Sequence, residues 1–411
     1  MENISIVPFE ECTGCNACLQ ICSKHCIQHE RKAGFWYPKV NEDVCIGCGK
    51  CMKVCPVIKP LPQRVPLECF AGYNKNEDTR LKSSSGGVFM VLAEYVLNHD
   101  GIVFGAVFDE SWNVKHVYSM TAEGVRPMLG SKYLQSDTIN TFIQCKSFLK
   151  SNKLVLYSGT PCQIEGLHKF LGKNYDNLLT MDFICHGVPS PGIWQQYLKE
   201  TFGYDAAVKA ADGKNTVLNS SLNTTSPIGD IRFRDKTDGW EKYRFVVSKE
   251  SAFKADKNSV LLSDTYSNNP YMRGFLNDLY LRESCYHCPA RCFSSQSDIT
   301  IGDFWGVHKL NMDDMNDQKG LSVITLNSEK GKGVFNKVIQ NFVLRELTLG
   351  QVVESNSNLV HIAKKDIEKV EKFNENVKTM TLIDAIDKTL HVSLTKRIIL
   401  KIKYKLGFVN E

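Results

Sequence analysis

The chain has 411 residues, 43% hydrophobic and 23% charged, a balance ordinary for a globular protein with room for a small head and one or two larger units. Its net charge of +5 is too mild over this length to imply nucleic-acid binding, and the opening MENISIVPFEEC has neither the basic nor the apolar region of a signal peptide. No apolar run reaches the ~18 residues of a membrane span, and the thirteen of sixteen cysteines that fall in tight groups or motifs read as ligands in a reducing, cytoplasmic setting rather than as disulfides.

In chain order the first feature is a pair of thiol ladders, CTGCNACLQIC and CIGCGKCMKVC. The second repeats the first at one constant offset, and each reads C-x2-C-x2-C-x3-C. That spacing wraps three thiolates round one cubane and sends the fourth to the other. It assigns Cys12, Cys15, Cys18 and Cys55 to one [4Fe–4S] cluster and Cys45, Cys48, Cys51 and Cys22 to a second. Gly14 and Gly47 hold matching positions, where a small residue lets backbone N–H groups turn toward sulfur. Pro56 follows Cys55, but Ser23 follows Cys22 where the motif asks for proline. Zinc favours two separated C-x2-C pairs and fits four thiols in eleven residues poorly. The stretch resembles the bacterial two-cluster ferredoxin module.

Between the ladders, CIQHERKAGFWYPKV predicts a hairpin turning near Ala33-Gly34, with Phe35, Trp36 and Tyr37 shielding a cluster from water. Pro60, Pro62 and Pro66 stiffen a linker that closes the head near residue 66. In SSSGGVFMVLAEYVLNHDG the apolar spacing predicts a helix from Gly87 toward Gly101. Ser83, Ser84, Ser85, Gly86 and Gly87 then stand at its start, where free N–H groups favour a phosphate; a plain serine-glycine cap would use the same residues. Strands are predicted over 102–109 and 114–120, then a glycine-lysine loop, GSKYLQS (130–136), and a helix from Thr138 to Leu149. KLVLYSGTPCQIEGLHKFL is a buried strand turning into a helix at Cys162. A strand over 178–184 delivers Cys185 and His186 to its carboxyl end, the edge where ligands collect in open α/β sheets.

Residues 206–228 are polar and poorly patterned. IRFRDKTDGWEKYRFVVSK predicts a hairpin turning at Thr237-Asp238-Gly239, and a helix from Pro270 to Leu281 leads into CYHCPARC. Two thiols from this loop, Cys285 and Cys288, plus Cys162 and Cys185 from strand ends would make a third [4Fe–4S] site. Zinc would accept the same four, and Cys292 could replace either strand-end cysteine. Cys69 and Cys145 read as structural. The chain lacks GxGxxG and GxxxxGK[ST], which removes a Rossmann fingerprint and a P-loop. The charged helical tail ends in LTKRIILKIKYKLGF, a basic amphipathic stretch that suits either a docking helix or peripheral contact with an acidic membrane surface or partner.

SSSGG, GSKYLQSD, YSGTPCQI, DFICHGVPSP, CYHC and SDITIGDFWG, in this order, resemble the coenzyme F420 hydrogenase/dehydrogenase beta-subunit family over roughly residues 8 to 345. The form with a fused ferredoxin head and GDFWG is similar to bacterial members often met among polysaccharide-biosynthesis proteins, for which recognition of the deazaflavin coenzyme does not carry over. The resemblance implies FAD, iron–sulfur clusters, and electron transfer with a redox partner protein or a small-molecule hydride donor or acceptor. It turns Ser83 to Gly87 into expected FAD phosphate contacts and sets Gly130, Ser131, Lys132, Tyr133 and Ser136 beside the flavin. For the third cluster it favours Cys162, Cys185, Cys285 and Cys288, leaving out Cys292. Lys132 is a candidate cation near the flavin, and His186 a candidate proton donor or a structural histidine. A non-catalytic relay subunit and a polysaccharide-pathway accessory protein are the competing readings. The expected architecture is mixed α/β: a ferredoxin-like dicluster head (1–66), an α/β flavin-binding region (67–205), a hairpin-containing region with the third cysteine group (206–350) and a helical basic tail (351–411).

Overall fold

The computed structural model describes residues 3–204, 228–249 and 260–390. The polar segment expected to begin at residue 206 and the basic amphipathic stretch at the end lie outside the described residues, up to Ile228 in the first case. Among the described residues no helix is long and apolar enough to cross a membrane.

In the head, the repeat in sequence is a repeat in structure. Cys18 and Cys51 lie in matched short helices, Ala17–Ile21 and Lys50–Lys53, each preceded by a left-handed residue, Asn16 (φ 63°) and Gly49 (φ 67°). Between them β1 (Ile27–Lys32) and β2 (Phe35–Val40) pair antiparallel. Their two-residue turn puts both Ala33 (φ 50°) and Gly34 (φ 79°) at positive φ, as a right-twisted hairpin requires. The head's buried core is Ile4, Ile27 and four cysteines. So small a unit has little aliphatic surface to bury and depends on staples for stability.

The body is built on a nine-stranded mixed sheet. In chain order its strands are β3 (Glu68–Asn74), β4 (Ile102–Phe108), β5 (Val114–Ser119), β6 (Ser136–Asp137), β7 (Val155–Gly159), β8 (Leu178–Phe183), β12 (Ile299–Asp303), β13 (Ser322–Leu326) and β14 (Phe342–Leu347). Their spatial order is β14-β3-β13-β12-β8-β7-β4-β5-β6. The central β4, β7, β8 and β12 run parallel, so the carboxyl ends of β7, β8 and β12 meet at one edge. Alternation sorts the side chains: Leu156 and Leu179 join the helices Val88–Leu97 and Glu329–Val338 on one face, while Val155, Tyr157 and Leu178 join Thr141–Lys150 and Pro161–Leu171 on the other. A separate sheet of β9 (Ile228–Asp235), β10 (Arg244–Lys249) and β11 (Val260–Thr265) packs its Phe233 and Phe245 against Trp194, Tyr197 and Tyr271 in an aromatic core. Gly239 takes φ 99° in the β9–β10 connection, at the turn the sequence predicts.

The main sheet draws strands from both sides of the boundary expected near residue 205, because β12 pairs with β8 and β13 with β3. Two helices are shorter than their patterns suggest. The one expected from Pro270 to Leu281 stops at Leu276, since Asp278 turns left-handed (φ 58°) and the Tyr280 ring folds back over Gly274. The one expected from Thr138 starts at Thr141, behind a left-handed Asn140. The proline linker is pinned rather than free. Leu61 N–H donates to Glu165 (2.9 Å) and Arg64 to the Gln296 carbonyl (3.0 Å).

The head docks on the helix Pro161–Leu171. A glycine inside a helix is unfavourable by about 1 kcal/mol, and Gly166 has a steric reason: a Cβ there would stand 2.8 Å from Cys15 Cβ and 2.9 Å from its sulfur. Cys15, Ala17 and Val54 of the head thereby complete the body's own core.

Candidate functional site

The fold brings the fourth cysteine of each ladder to the first three of the other. Cys22 lies with Cys45, Cys48 and Cys51 round one small cavity, together with Cys26, whose sulfur is 3.3 Å from that of Cys22. Cys15 gathers with Cys12, Cys18 and Cys55. Burial pushes its thiol up to about 12, and the nearby Cys55 and Cys12 sulfurs add to the effect. Cys18 is raised by burial and then by Cys15, Cys12 and Cys55. Dry thiols that repel one another as thiolates are unfavourable until cations neutralise them, which is the donor chemistry of a metal–sulfide cage.

Arg282 locks this group to the body. Its side chain is wholly buried. It donates to the Cys12 carbonyl (2.7 Å), the Trp36 carbonyl (3.1 Å) and Gln135 Oε1 (3.0 Å), and its remaining nitrogen lies 3.6 Å from Cys12 sulfur. Its guanidinium also stacks over Tyr37, 4.0 Å from the ring centre. Gly14 (φ 72°) makes room, since a Cβ there would sit 2.9 Å from the guanidinium carbon. Among the described residues no ion pair joins Arg282 to a carboxylate, and its guanidinium faces the Cys12 sulfur. The expected aromatic shield is thus partly a socket for this cation.

The third group assembles from three separate elements. Thr160 caps the helix Pro161–Leu171 with a capping box, which fixes Cys162 in the first turn. Cys185 follows β8, and Cys285 and Cys288 come from the short turn Glu283–His287 and its cap. All four line one cavity with Cys292. The Cys162 thiol is raised by burial and then by Cys288, Cys185 and Cys285, while Cys185 is raised to about 12 by burial, then Cys285 and Cys288. Cys292, left-handed at φ 54°, instead points its thiol toward the Leu359 carbonyl (3.8 Å). Val188 N–H donates to Cys285 sulfur (3.4 Å), a contact that stabilises a thiolate. Among the described residues no three donors converge as one ion would require. Four thiols round one cavity are a donor set that a cubane, with one thiolate per iron, and a zinc ion both accept. Thr13 of the head lines the same cavity, and Phe183, Ile184, Cys185, Gly187 and Val188 are shared with a much larger cleft.

That cleft, about 340 Å³, opens at the carboxyl edge of β7, β8 and β12. It is lined by Ser83, Ser84, Ser85, Gly87, Gly130, Ser131, Lys132, Tyr133, Ser136 and His186. Of the expected cofactor contacts, Gly86 turns away, its N–H donating to Ser322 Oγ (2.9 Å). The serines also hold the fold: Ser83 donates to the Thr79 carbonyl, Ser85 to that of Leu321, and Ser84 accepts from Ser131 N–H. Ser83 and Ser85 thus spend their hydroxyl protons on the fold, while Ser84, which accepts, keeps its own O–H to donate. The Lys132 ammonium donates to the Leu129 (3.1 Å) and Gly130 (3.3 Å) carbonyls. Burial lowers its pKa to about 8, against a smaller opposing pull from Asp230. His186 pairs with Asp278 at 2.6 Å.

Three sets of contacts at the cleft could not be read from the sequence, although Asp303 and Trp305 lie in the SDITIGDFWG segment. His116 is held neutral by burial, which lowers it to about 4. Its Nε2 donates to the Ser158 carbonyl (3.0 Å), leaving Nδ1 to accept from Ser136 Oγ (2.6 Å). Arg234, buried against Asp303 (2.8 and 3.2 Å), lies over the Tyr243 and Trp305 rings, and Trp305 stacks on Trp240. Each joins residues too far apart in the chain for a motif to link them.

Comparison with known proteins finds matches to both the cysteine-rich head and the body. Residues 152–351 match the family described as the C terminus of the coenzyme F420 hydrogenase/dehydrogenase beta subunit. Residues 5–61 and 37–90 match 4Fe-4S dicluster domains. Coenzyme F420 hydrogenase subunit beta of Methanococcus voltae is 22% identical over 306 residues, spanning 72% of this chain and 88% of that protein. A chain of the xenon-derivatised F420-reducing [NiFe] hydrogenase complex from Methanosarcina barkeri aligns with a TM-score of 0.44 at 16% identity, over 77% of this chain and 95% of that one.

Proposed function

From a chain that joins a 4Fe-4S dicluster domain to the C-terminal region of the coenzyme F420 hydrogenase/dehydrogenase beta-subunit family, we propose an iron–sulfur flavoprotein oxidoreductase. It passes electrons between a two-electron site in the cleft and one-electron carriers in the head. The observation that carries this reading is the adjacency of the sites. The cleft shares a wall containing Cys185 with the third thiol cavity, and that cavity reaches Thr13 beside Cys12. Two [4Fe–4S] clusters would be held by the crossed ladders and a third by Cys162, Cys185, Cys285 and Cys288.

The cleft suits FAD: its volume is that of a ligand site, glycine and serine loops line one side, and Tyr133, Phe275 and Trp305 offer aromatic faces. Bound there, FAD would exchange electron pairs with substrate and single electrons with the clusters. Ser83, Ser84, Ser85 and Gly87 would flank its phosphates, while Gly130, Ser131, Lys132, Tyr133 and Ser136 would border the ring. Neutral His116 holds the Ser136 hydroxyl in one orientation.

Lys132 brings the cleft a cation that is protonated below about pH 8. An anionic ligand that favours the ammonium binds best below that pH, and its affinity falls as pH rises through it. Lys132→Ala is expected to weaken flavin binding at neutral pH by roughly tenfold or more, on the scale of one charge-assisted hydrogen bond, and to flatten this pH dependence. Flavin fluorescence titrations of both proteins across the range check it, and a variant that keeps the wild-type profile removes Lys132 from the site.

The relative from Methanococcus voltae is named as a hydrogenase subunit, which favours a second reading: a relay whose electrons reach substrate only through a partner protein. Anaerobic purification with iron, sulfide and flavin quantified, then reductive titration, tests both. Flavin reduced by a small-molecule donor supports the oxidoreductase. Reduction only with a partner protein supports the relay, and a chain with clusters but no affinity for flavin ends the flavoprotein reading.

A further inference from the structure

The repeat departs from its own pattern at one ligand. Ser23 follows Cys22 where Pro56 follows Cys55, and four residues beyond Cys22 stands Cys26, whose counterpart in the second repeat is Lys59. The ladder spacing thus gives Cys26 no role. The structure nevertheless buries it, at 5% exposure, among the head's few core side chains, whereas Cys22 is only half-buried. His25 turns left-handed (φ 50°) with its N–H donating to the Cys22 carbonyl (3.1 Å), which folds Cys26 back beside Cys22. Asn41 N–H then holds the Cys26 carbonyl (2.7 Å) to the end of β2. The Cys26 sulfur lies 3.3 Å from that of Cys22 and within hydrogen-bonding reach of Cys45, on the cavity lined by Cys45, Cys48 and Cys51.

We propose that Cys26 is an alternative fourth ligand of the second cluster, so that this cubane can be completed by either Cys22 or Cys26. The inference rests on the two-cubane reading of the head. The exchange moves no electrons. The iron–sulfur bond to Cys22 breaks, one to Cys26 forms, and the Cys26 thiol proton passes to the departing Cys22 thiolate across the short gap between them. The exposed ligand is thereby backed by a buried one.

The test uses the full chain with Cys22→Ala, Cys26→Ala and both together, purified anaerobically beside wild type. Alanine is chosen because a serine hydroxyl could itself bind iron. Iron and acid-labile sulfide per chain are counted, and the reduced proteins are examined by electron paramagnetic resonance. Each single variant is expected to keep the wild-type iron count, with an altered second-cluster signal in Cys22→Ala, while the double variant loses roughly four irons. A Cys22→Ala protein that loses as much iron as the double variant, or that fails to fold while Cys26→Ala folds, overturns the proposal. Wild type lacking iron in the head would instead remove the underlying cluster reading.

Discussion

Cys288→Ala is expected to take about four irons from the chain and leave about eight, with the two ladder clusters intact. Cys288 contributes to a cavity that no ladder cysteine enters, so with the third cluster proposed above its loss would open that cage and spare the other two. The thiols left behind are desolvated and crowd one another, which keeps them protonated and unable to rebuild the site alone. Cys292 lines the cavity but directs its thiol to Leu359, so it is not poised as a replacement. Flavin reduction by a donor should survive while transfer onward to the head becomes slow. Iron counting with stopped-flow reduction checks both. A variant that loses a single zinc and no iron would show the third site to be mononuclear.

Arg282→Met should loosen the head and lower the potential of the first cluster. Methionine fills much of the volume but strips the Cys12 carbonyl, the Trp36 carbonyl and Gln135 of their donor in a buried place. Leaving such groups unpaired costs about 3 kcal/mol. Removing a cation 3.6 Å from Cys12 sulfur also disfavours an added electron, so the midpoint moves down. Arg282→Lys keeps the charge without the planar fork and should recover potential better than stability. Redox titration and proteolysis across the proline-rich linker measure the two effects. Unchanged midpoint and resistance in Arg282→Met would reduce Arg282 to packing.

What the sequence made legible follows from how local each signal is. The ladders are a spacing rule within eleven residues, and the crossover of Cys22 to Cys45, Cys48 and Cys51 is a property of that rule. Strands β4, β7 and β8 show as apolar runs because both faces are covered. The serine-glycine and glycine-lysine loops stood out as segments, yet Gly86 turned to Ser322, a partner its own stretch could not reveal. The join of β12 to β8 was equally hidden, since no local pattern reports which distant strand will pair. Arg282 and His116 look like any other arginine and histidine until tertiary packing gives them neighbours. Cys26 was masked by the regularity of the repeat beside it.

The placing of β3 between β13 and β14 has a cost during synthesis. It leaves the ribosome with neither of its hydrogen-bonding neighbours yet made, and more than two hundred residues must emerge before they arrive. The head before it is already fully translated by then. Nascent chains should therefore present a finished cysteine-rich lobe trailed by an unpaired, apolar strand, the state in which a chaperone or a premature aggregate finds its grip.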